Sequence, residues 1–189
     1  VLGPLGMVDT AFSAPEADVE RCSPLYTRSQ SGGLHRLAGP DTMVQPPKFL
    51  SGGGGLVGTG ADYLRFCHML LNGGELDGVR LLGPRTVRYM ARNHLPGGKL
   101  LNEVGQSTFS EAAMAGTGFG LGFAVIEDAA ALQNLASEGE FSWGGAASTA
   151  FWVDPVEDVC VVFMTQLLPS DTYPIRRQLR ATVLQSIVE

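Results

Sequence analysis

Near residue 118, the spacing of the apolar residues changes from the period of a helix to that of a strand, and this change predicts the fold class. On the N-terminal side, four residues recur at the intervals of one helix face: Tyr63, Phe66, Cys67 and Leu70. On the C-terminal side, four residues alternate with glycine or alanine, as in a strand: Phe119, Leu121, Phe123 and Val125. Further strands and a last helix follow, so we expect an α+β chain in which helices cover an antiparallel sheet.

This change of period also predicts a division of the chain at residue 117. Residues 1–117 are expected to hold the end of a helical region, with a hairpin, a Gly-rich loop and two helices. Residues 118–189 are expected to hold the sheet strands and a C-terminal covering helix. We expect the two parts to belong to one domain.

Local signals place the elements of the first part. Leu25–Arg28 and Leu34–Leu37 flank a Ser-Gly-Gly turn and predict a hairpin. The clearest helix is expected over Gly60–Asn72. Long loops are expected over residues 39–58, which are rich in Pro and Gly, and over residues 93–117, which are polar and small.

Capping and turn residues support this assignment. Thr59 can cap the helix, and Asp62 completes a capping-box-like pair. Gly73-Gly74 predicts a left-handed helix end, and Asp77-Gly78 predicts a tight turn between two short strands. Pro84 suits the first position of a second helix.

The second part predicts strands. Gly118–Val125 is expected as one strand with a nearly bare face, which would let another backbone approach closely. Phe141-Ser142-Trp143, Ser148–Asp154 and Val159–Thr165 predict three more, and the continuous apolar run in the last predicts burial on both faces. A helix opening at Pro174 places four apolar residues on one face: Ile175, Leu179, Val183 and Ile187.

Composition excludes several classes of protein. Hydrophobic residues make up 44% of the 189 residues and charged residues 17%, a balance that disordered chains lack. The net charge is −6 without any Lys/Arg cluster, so we expect no nucleic-acid partner. No apolar run reaches the roughly 18 residues of a membrane helix, so we expect no membrane span. No signal peptide opens the chain, and the expected compartment leans to the cytoplasm.

No cofactor or metal is expected. Three cysteines and three histidines are spread without ligand spacing: Cys22, Cys67, Cys160, His35, His68 and His94. Gly53-x-Gly55-x-x-Gly58 matches a dinucleotide fingerprint, but prolines precede it and Gly78 stands where a ribose-binding acid is needed. We interpret this stretch as a turned loop, with nucleotide binding as an alternative.

No nucleophile motif is present. The Ser-x-x-Lys pattern of penicillin-recognising proteins needs a lysine three residues after the serine. The chain has only two lysines, and Gln45 precedes Lys48 at that spacing while Pro96 precedes Lys99. A Gly-x-Ser-x-Gly elbow is also absent from the sequence. A Ser-His-Asp triad assembled in space stays open.

Five segments nevertheless form an ordered set of motifs. They are Pro4–Phe12, Ser51–Phe66, Asn72–Gly78, Gly118–Gly122 and Trp143–Pro155. In this order they resemble the serine β-lactamase-like hydrolases over almost the whole chain. Within that family, the chain is similar to the C-terminal half of family VIII carboxylesterases and class C β-lactamases.

The resemblance implies a β-lactamase/transpeptidase-like fold, with an active site between the helical region and the sheet. The family's Ser-x-x-Lys and Tyr-x-Asn motifs lie upstream of the segment that matches Pro4–Phe12. None of the four tyrosines here has asparagine two residues later. The chain is therefore expected to be an incomplete domain, inactive alone, whose partner is the missing N-terminal half of the same protein.

The family's third motif, Lys-Thr-Gly, corresponds to Trp143-Gly144-Gly145. The resemblance implies that this strand offers the backbone N–H of Ala146 to an oxyanion. We therefore expect Trp143, Gly144, Gly145 and Ala146 at the catalytic site, and Gly53, Gly54 and Trp143 against the substrate. The alternative is that Trp143 is a core aromatic residue and the glycines form a bulge.

The departure from Lys-Thr carries information on the substrate. Lysine and threonine offer a cation and a hydroxyl to a substrate carboxylate, whereas Trp143-Gly144 offers an apolar wall and one indole N–H. β-Lactams carry that carboxylate and simple esters do not. We therefore expect a serine hydrolase that forms an acyl-enzyme on small neutral esters, with weak or no β-lactamase activity.

Two further expectations complete this interpretation. A non-catalytic binding or structural module of the same fold is the alternative function. The exposed face of a half sheet is also expected to favour association of copies into a homo-oligomer.

Overall fold

The computed structural model describes residues 1–104 and 114–188. Its helices are α1 (Asp41–Val44), α2 (Gly60–Leu71), α3 (Pro84–Met90), α4 (Leu101–Val104), α5 (Ala129–Leu132) and α6 (Ile175–Leu184). Its strands are β1 (Leu25–Arg28), β2 (Leu34–Ala38), β3 (Glu75–Leu76), β4 (Val79–Arg80), β5 (Thr117–Phe119), β6 (Ala124–Ile126), β7 (Phe141–Gly144), β8 (Ala150–Asp154), β9 (Val159–Phe163) and β10 (Leu167–Leu168). Two 3-10 helices cover Glu16–Arg21 and Pro96–Gly98.

The strands form three sheets, in the orders β10-β1-β2, β3-β4 and β5-β6-β7-β8-β9. The pairs β1–β2, β3–β4, β5–β6 and β6–β7 are antiparallel, which confirms the α+β fold class. The β1–β10 pair is parallel, an addition that the sequence did not predict.

The chain groups into two compact units that interleave along the sequence. Val1–Phe66, Gly144–Ala150 and Val162–Pro174 make up the first unit, and the remaining residues make up the second. Each unit draws residues from both sides of residue 117. The two-part division at residue 117 describes the order of the elements along the sequence, and it stays a prediction.

In the first unit, the start of α2 binds the N-terminal segment. Asp62 N donates to Thr59 Oγ1 at 3.2 Å, which confirms Thr59 as the cap. The buried Asp62 carboxylate accepts hydrogen bonds from Asp9 N at 2.8 Å and from the Thr10 hydroxyl at 2.7 Å. Two of the motif segments are thus joined through one carboxylate.

The predicted turns and hairpins of the first part are confirmed. Gly73 and Gly74 end α2 with φ of +66° and +98°, and Gly74 N donates to Met69 O at 2.8 Å. Asp77 and Gly78 form the β3–β4 turn with φ of +50° and +77°. The β1–β2 hairpin and a helix beginning at Pro84 are also present.

The segment Gly118–Val125 is a hairpin and not the single strand that we predicted. β5 pairs with β6, and Gly120 N donates to Phe123 O at 2.7 Å across a turn in which Gly122 has φ of +101°. The bare face is confirmed, because a Cβ on Gly120 would lie 2.1 Å from Met90 O. The end of α3 and the residues directly after it pack against this face.

Aromatic residues fill the core of the second unit beside this hairpin. The Phe123 ring centroid lies 5.0 Å from that of Phe141 and 6.2 Å from that of Phe151. All three side chains are buried, and Trp152 and Val153 of β8 are buried next to them in sequence. This packing supports the strands that lead to Trp143.

Four other predictions need correction. The loop over 39–58 contains α1, and the loop over 93–117 contains a 3-10 turn and α4, with residues 105–113 outside the described part. β9 was expected to be buried on both faces, but it is the last strand of its sheet among the described residues and is half-buried. Ile187 lies beyond the end of α6 and is exposed, because the helix stops at Leu184.

Candidate active site

Trp143 lies near the end of β7, in the second unit. Its side chain is 39% exposed, whereas Phe141 on the same strand is buried. The Trp143 ring meets the Phe119 ring edge to face, with centroids 5.1 Å apart and planes at 79°. Trp143 is therefore a partly exposed aromatic residue with one aromatic partner, and the alternative of a buried core residue is wrong.

The chain turns directly after β7, and the turn belongs to the first unit. Ser148 N donates to Gly145 O at 3.1 Å, which closes a four-residue turn with Ala146 at its second position. A Cβ on Gly145 would lie 2.4 Å from Thr149 Oγ1, so a side chain there would require the Thr149 hydroxyl to move. Contacts with Leu167 hold the turn: Leu167 N donates to Ala147 O at 3.0 Å, and the Ser148 hydroxyl donates to Leu167 O at 2.6 Å.

Ala146 is exposed, and its backbone N–H has no hydrogen-bond partner in residues 1–104 and 114–188. A fixed, unpaired N–H at the end of a strand can donate to a developing oxyanion without reorganisation. The role of Ala146 as an oxyanion donor stays a prediction.

Gly53 and Gly54 lie in an exposed turn of the first unit, closed by the hydrogen bond from Gly55 N to Ser51 O at 2.9 Å. A Cβ on Gly54 would meet no atom within 4 Å. Packing therefore does not require glycine at position 54. The substrate-binding role of both glycines stays a prediction.

The dinucleotide alternative lacks its structural context. Residues 45–50 directly before the glycines form neither strand nor helix, whereas the fingerprint requires a preceding strand. Within the described ranges, the structure also gathers no group of three His, Cys, Asp or Glu side chains that could hold a metal ion.

A buried ion pair anchors the start of β7. Glu140, with no exposed surface, accepts a hydrogen bond from Arg180 of α6. The Arg180 guanidinium lies over the Trp152 ring, 5.1 Å from its centroid. Burial of the Glu140 carboxyl opposes the attraction of Arg180, and with the nearby Asp154 charge it raises the pKa of Glu140 to about 7.

Two contacts beside this segment were not predicted from the sequence: Phe119 with Trp143, and Glu140 with Arg180. Phe119 was assigned to a strand, but its contact with Trp143 joins residues far apart in sequence. Nothing in the local pattern signals that contact or the pairing of Glu140 with Arg180.

Comparisons with known proteins show the family and the fold of the chain. The family model described as Beta-lactamase matches residues 1–185. Protein Rv1367c of Mycobacterium tuberculosis strain H37Rv is 38% identical over 174 residues, which cover 89% of this chain and 42% of that protein. The chain therefore spans less than half the length of this curated relative.

Solved structures share the fold. The LovD6 mutant of simvastatin synthase from Aspergillus terreus superposes with a TM-score of 0.79 at 23% identity, over 98% of this chain and 48% of that one. EstCE1, described as a hydrolase with promiscuous acyltransferase activity, gives 0.70 at 25% identity, over 96% and 47%. A penicillin-binding protein homologue from Caulobacter crescentus gives 0.67 at 17% identity, over 99% and 50%.

Proposed function

Because this chain belongs to the Beta-lactamase family and has the C-terminal part of its fold, we propose that it is the part of a serine hydrolase that supplies an oxyanion donor and one wall of the substrate site. The attacking serine and its activating residues belong to sequence that precedes Pro4–Phe12 in the whole protein.

The unpaired N–H of Ala146 carries this proposal. It sits in an exposed turn directly after β7, at the position where the family's third motif places its donor. The turn is closed by its own backbone and held by Leu167, so the N–H keeps its direction. One such donor contributes about 10²–10³ in rate.

The proposed reaction has two steps. The serine oxygen attacks the ester carbonyl while the activating residues of the preceding sequence take the serine proton, and the carbonyl oxygen becomes an oxyanion held by Ala146 N–H. The carbonyl then re-forms as the C–O bond to the alcohol breaks, and the departing alcohol receives that proton. Water then attacks the acyl-enzyme and releases the acid and the free serine hydroxyl.

The substrates we propose are neutral esters. Trp143 and Gly144 provide no cation or hydroxyl for a substrate carboxylate, and a β-lactam would lose those charge-assisted hydrogen bonds. The fold shared with EstCE1, a hydrolase by description, supports the proposed class of reaction but does not distinguish esters from β-lactams.

Labelling with a fluorophosphonate probe tests the proposal. We expect the full-length protein to be labelled on one serine upstream of the segment described here, and replacement of that serine by alanine to abolish labelling. An unlabelled, folded full-length protein would instead support the alternative, a non-catalytic module of the same fold.

A further inference from the structure

The backbone of Phe119 is held on both sides by the segment that follows α3. Phe119 N donates to Asn93 Oδ1 at 3.2 Å, and Phe119 O accepts from His94 N at 2.8 Å. Both hydrogen bonds link β5 to residues about 25 positions earlier in the chain, so the position of Phe119 is set by tertiary contacts as well as by its strand.

Asn93 connects the hairpin to its own loop. Its Oδ1 also accepts from Leu95 N at 3.0 Å, and its Nδ2 donates to Lys99 O at 2.9 Å. A Cβ on Gly118 would lie 2.4 Å from Asn93 Cγ, so this close approach depends on the glycine before Phe119. The Asn93 side chain thus uses its acceptor and its donor to fix one short segment against β5.

The ring of Phe119 in turn limits the orientation of Trp143. The two planes stand at 79°, an edge-to-face pair, while the Trp143 side chain is still 39% exposed. Phe119 is half-buried. Together the two rings form an apolar corner that is open to solvent on the Trp143 side.

We propose that Phe119 is a specificity-determining residue of this corner, which selects esters of aromatic alcohols, and that Asn93 is its positioning residue. The inference rests on the proposed function. Trp143 stands where lysine would hold the carboxylate of a β-lactam, and that carboxylate belongs to the leaving-group side of the β-lactam ring. An aromatic alcohol places an apolar ring on that same side of an ester.

The test compares benzyl acetate with methyl acetate on the full-length protein, because the two leaving alcohols differ little in acidity and greatly in apolar surface. We expect the ratio of kcat/KM, benzyl over methyl, to fall about tenfold in Phe119→Ala. Phe119→Leu should keep much of the ratio, and Leu135→Ala, which removes an exposed apolar side chain of the same unit, should leave it unchanged. An unchanged ratio in folded Phe119→Ala would overturn the inference.

Two variants of Asn93 test its positioning role. Asn93→Asp keeps the acceptor for Phe119 N and loses the donor to Lys99 O, whereas Asn93→Ala loses both. The ratio should fall in Asn93→Ala and be largely restored in Asn93→Asp. Equal ratios in both variants and the wild type would show that Asn93 does not position the corner.

A binding measurement separates this inference from the proposed function. Benzyl propyl ether has no cleavable carbonyl, and Trp143 is the exposed one of the two tryptophans, so tryptophan fluorescence reports its binding. Weaker binding by Phe119→Ala supports the corner even if no ester is hydrolysed, and absence of hydrolysis would then count against the proposed function alone. A wild-type protein that does not bind the ether would overturn the inference.

Discussion

Among single residues, two have roles that can be tested directly: the backbone N–H of Ala146 and the buried carboxylate of Glu140. In the proposed reaction, Ala146 donates through its backbone N–H, which every residue except proline provides. This explains in physical terms how the site tolerates Trp143-Gly144 in place of Lys-Thr, since the oxyanion donor does not depend on either side chain.

Proline at position 146 deletes this N–H. Ala146 occupies the second position of the turn closed by Ser148 N and Gly145 O, a position that accepts proline. Ala146→Pro in the full-length protein should lower kcat for a neutral ester by about 10²–10³ and change Tm little. Ala146→Ser, which retains the N–H, is the matched control. Full activity in Ala146→Pro would remove Ala146 from the mechanism.

Glu140 predicts a pH dependence of stability. Its pKa is raised from 4.5 to about 7 in the folded protein, so the folded state holds the proton more tightly than the unfolded state. The contribution of Glu140 to the free energy of unfolding is therefore greatest below pH 4.5 and falls, by about 3 kcal/mol in total, as the pH rises to 7.

Denaturant unfolding of the wild type and of Glu140→Gln at several pH values checks this sign. Glutamine stays neutral and can still accept from Arg180, so the difference in unfolding free energy, wild type minus variant, should decline between pH 4.5 and 7 and then level off. A difference that grows with pH would mean that the attraction of Arg180 outweighs burial.

At the scale of elements, the hairpin β5–β6 is where the sequence was hardest to interpret. Alternation of Phe119, Leu121 and Phe123 with glycine fits a strand as well as two strands and a turn. The turn needs the positive φ of Gly122 and the close approach of Met90 O to Gly120, and only the folded chain brings Met90 there.

Gly120→Ala tests that packing. Its Cβ would lie 2.1 Å from Met90 O, so we expect a loss of about 1–3 kcal/mol in the free energy of unfolding. Gly54→Ala is the control, because its Cβ would stand in open space, and its Tm should match the wild type. If Gly54 contacts the substrate as expected, the KM of that control rises while its stability stays the same.

Helix α2, unlike the β5–β6 hairpin, could be predicted from local sequence. Its start at Gly60, its cap at Thr59 and its end before Gly73-Gly74 follow from residues that are local in the sequence, so they could be predicted. The Trp143–Ala146 segment was found only through the order of its neighbouring motifs. The contacts of Asn93 and Arg180 join distant positions, and no local pattern indicates them.

For the whole molecule, β9 is the element that indicates contact with residues outside this chain. Its residues are apolar but only half-buried, and it has one neighbouring strand among the residues that the structure describes. Such an edge favours association. We therefore expect this 189-residue chain on its own to self-associate in sedimentation experiments.

The chain covers only 42–50% of the length of the curated relative and of the three solved structures described above. In the whole protein, we expect the preceding sequence to cover the β9 edge and to supply the serine. Within the described residues, no helix is long and apolar enough to cross a membrane.

The hydrolysis of two chromogenic substrates by the full-length protein decides whether the protein prefers neutral esters to β-lactams. The value of kcat/KM is measured for each substrate under the same conditions. Because Trp143 stands in place of the motif's lysine, we expect a short p-nitrophenyl ester to be hydrolysed faster than a chromogenic cephalosporin. Faster turnover of the cephalosporin would contradict the account.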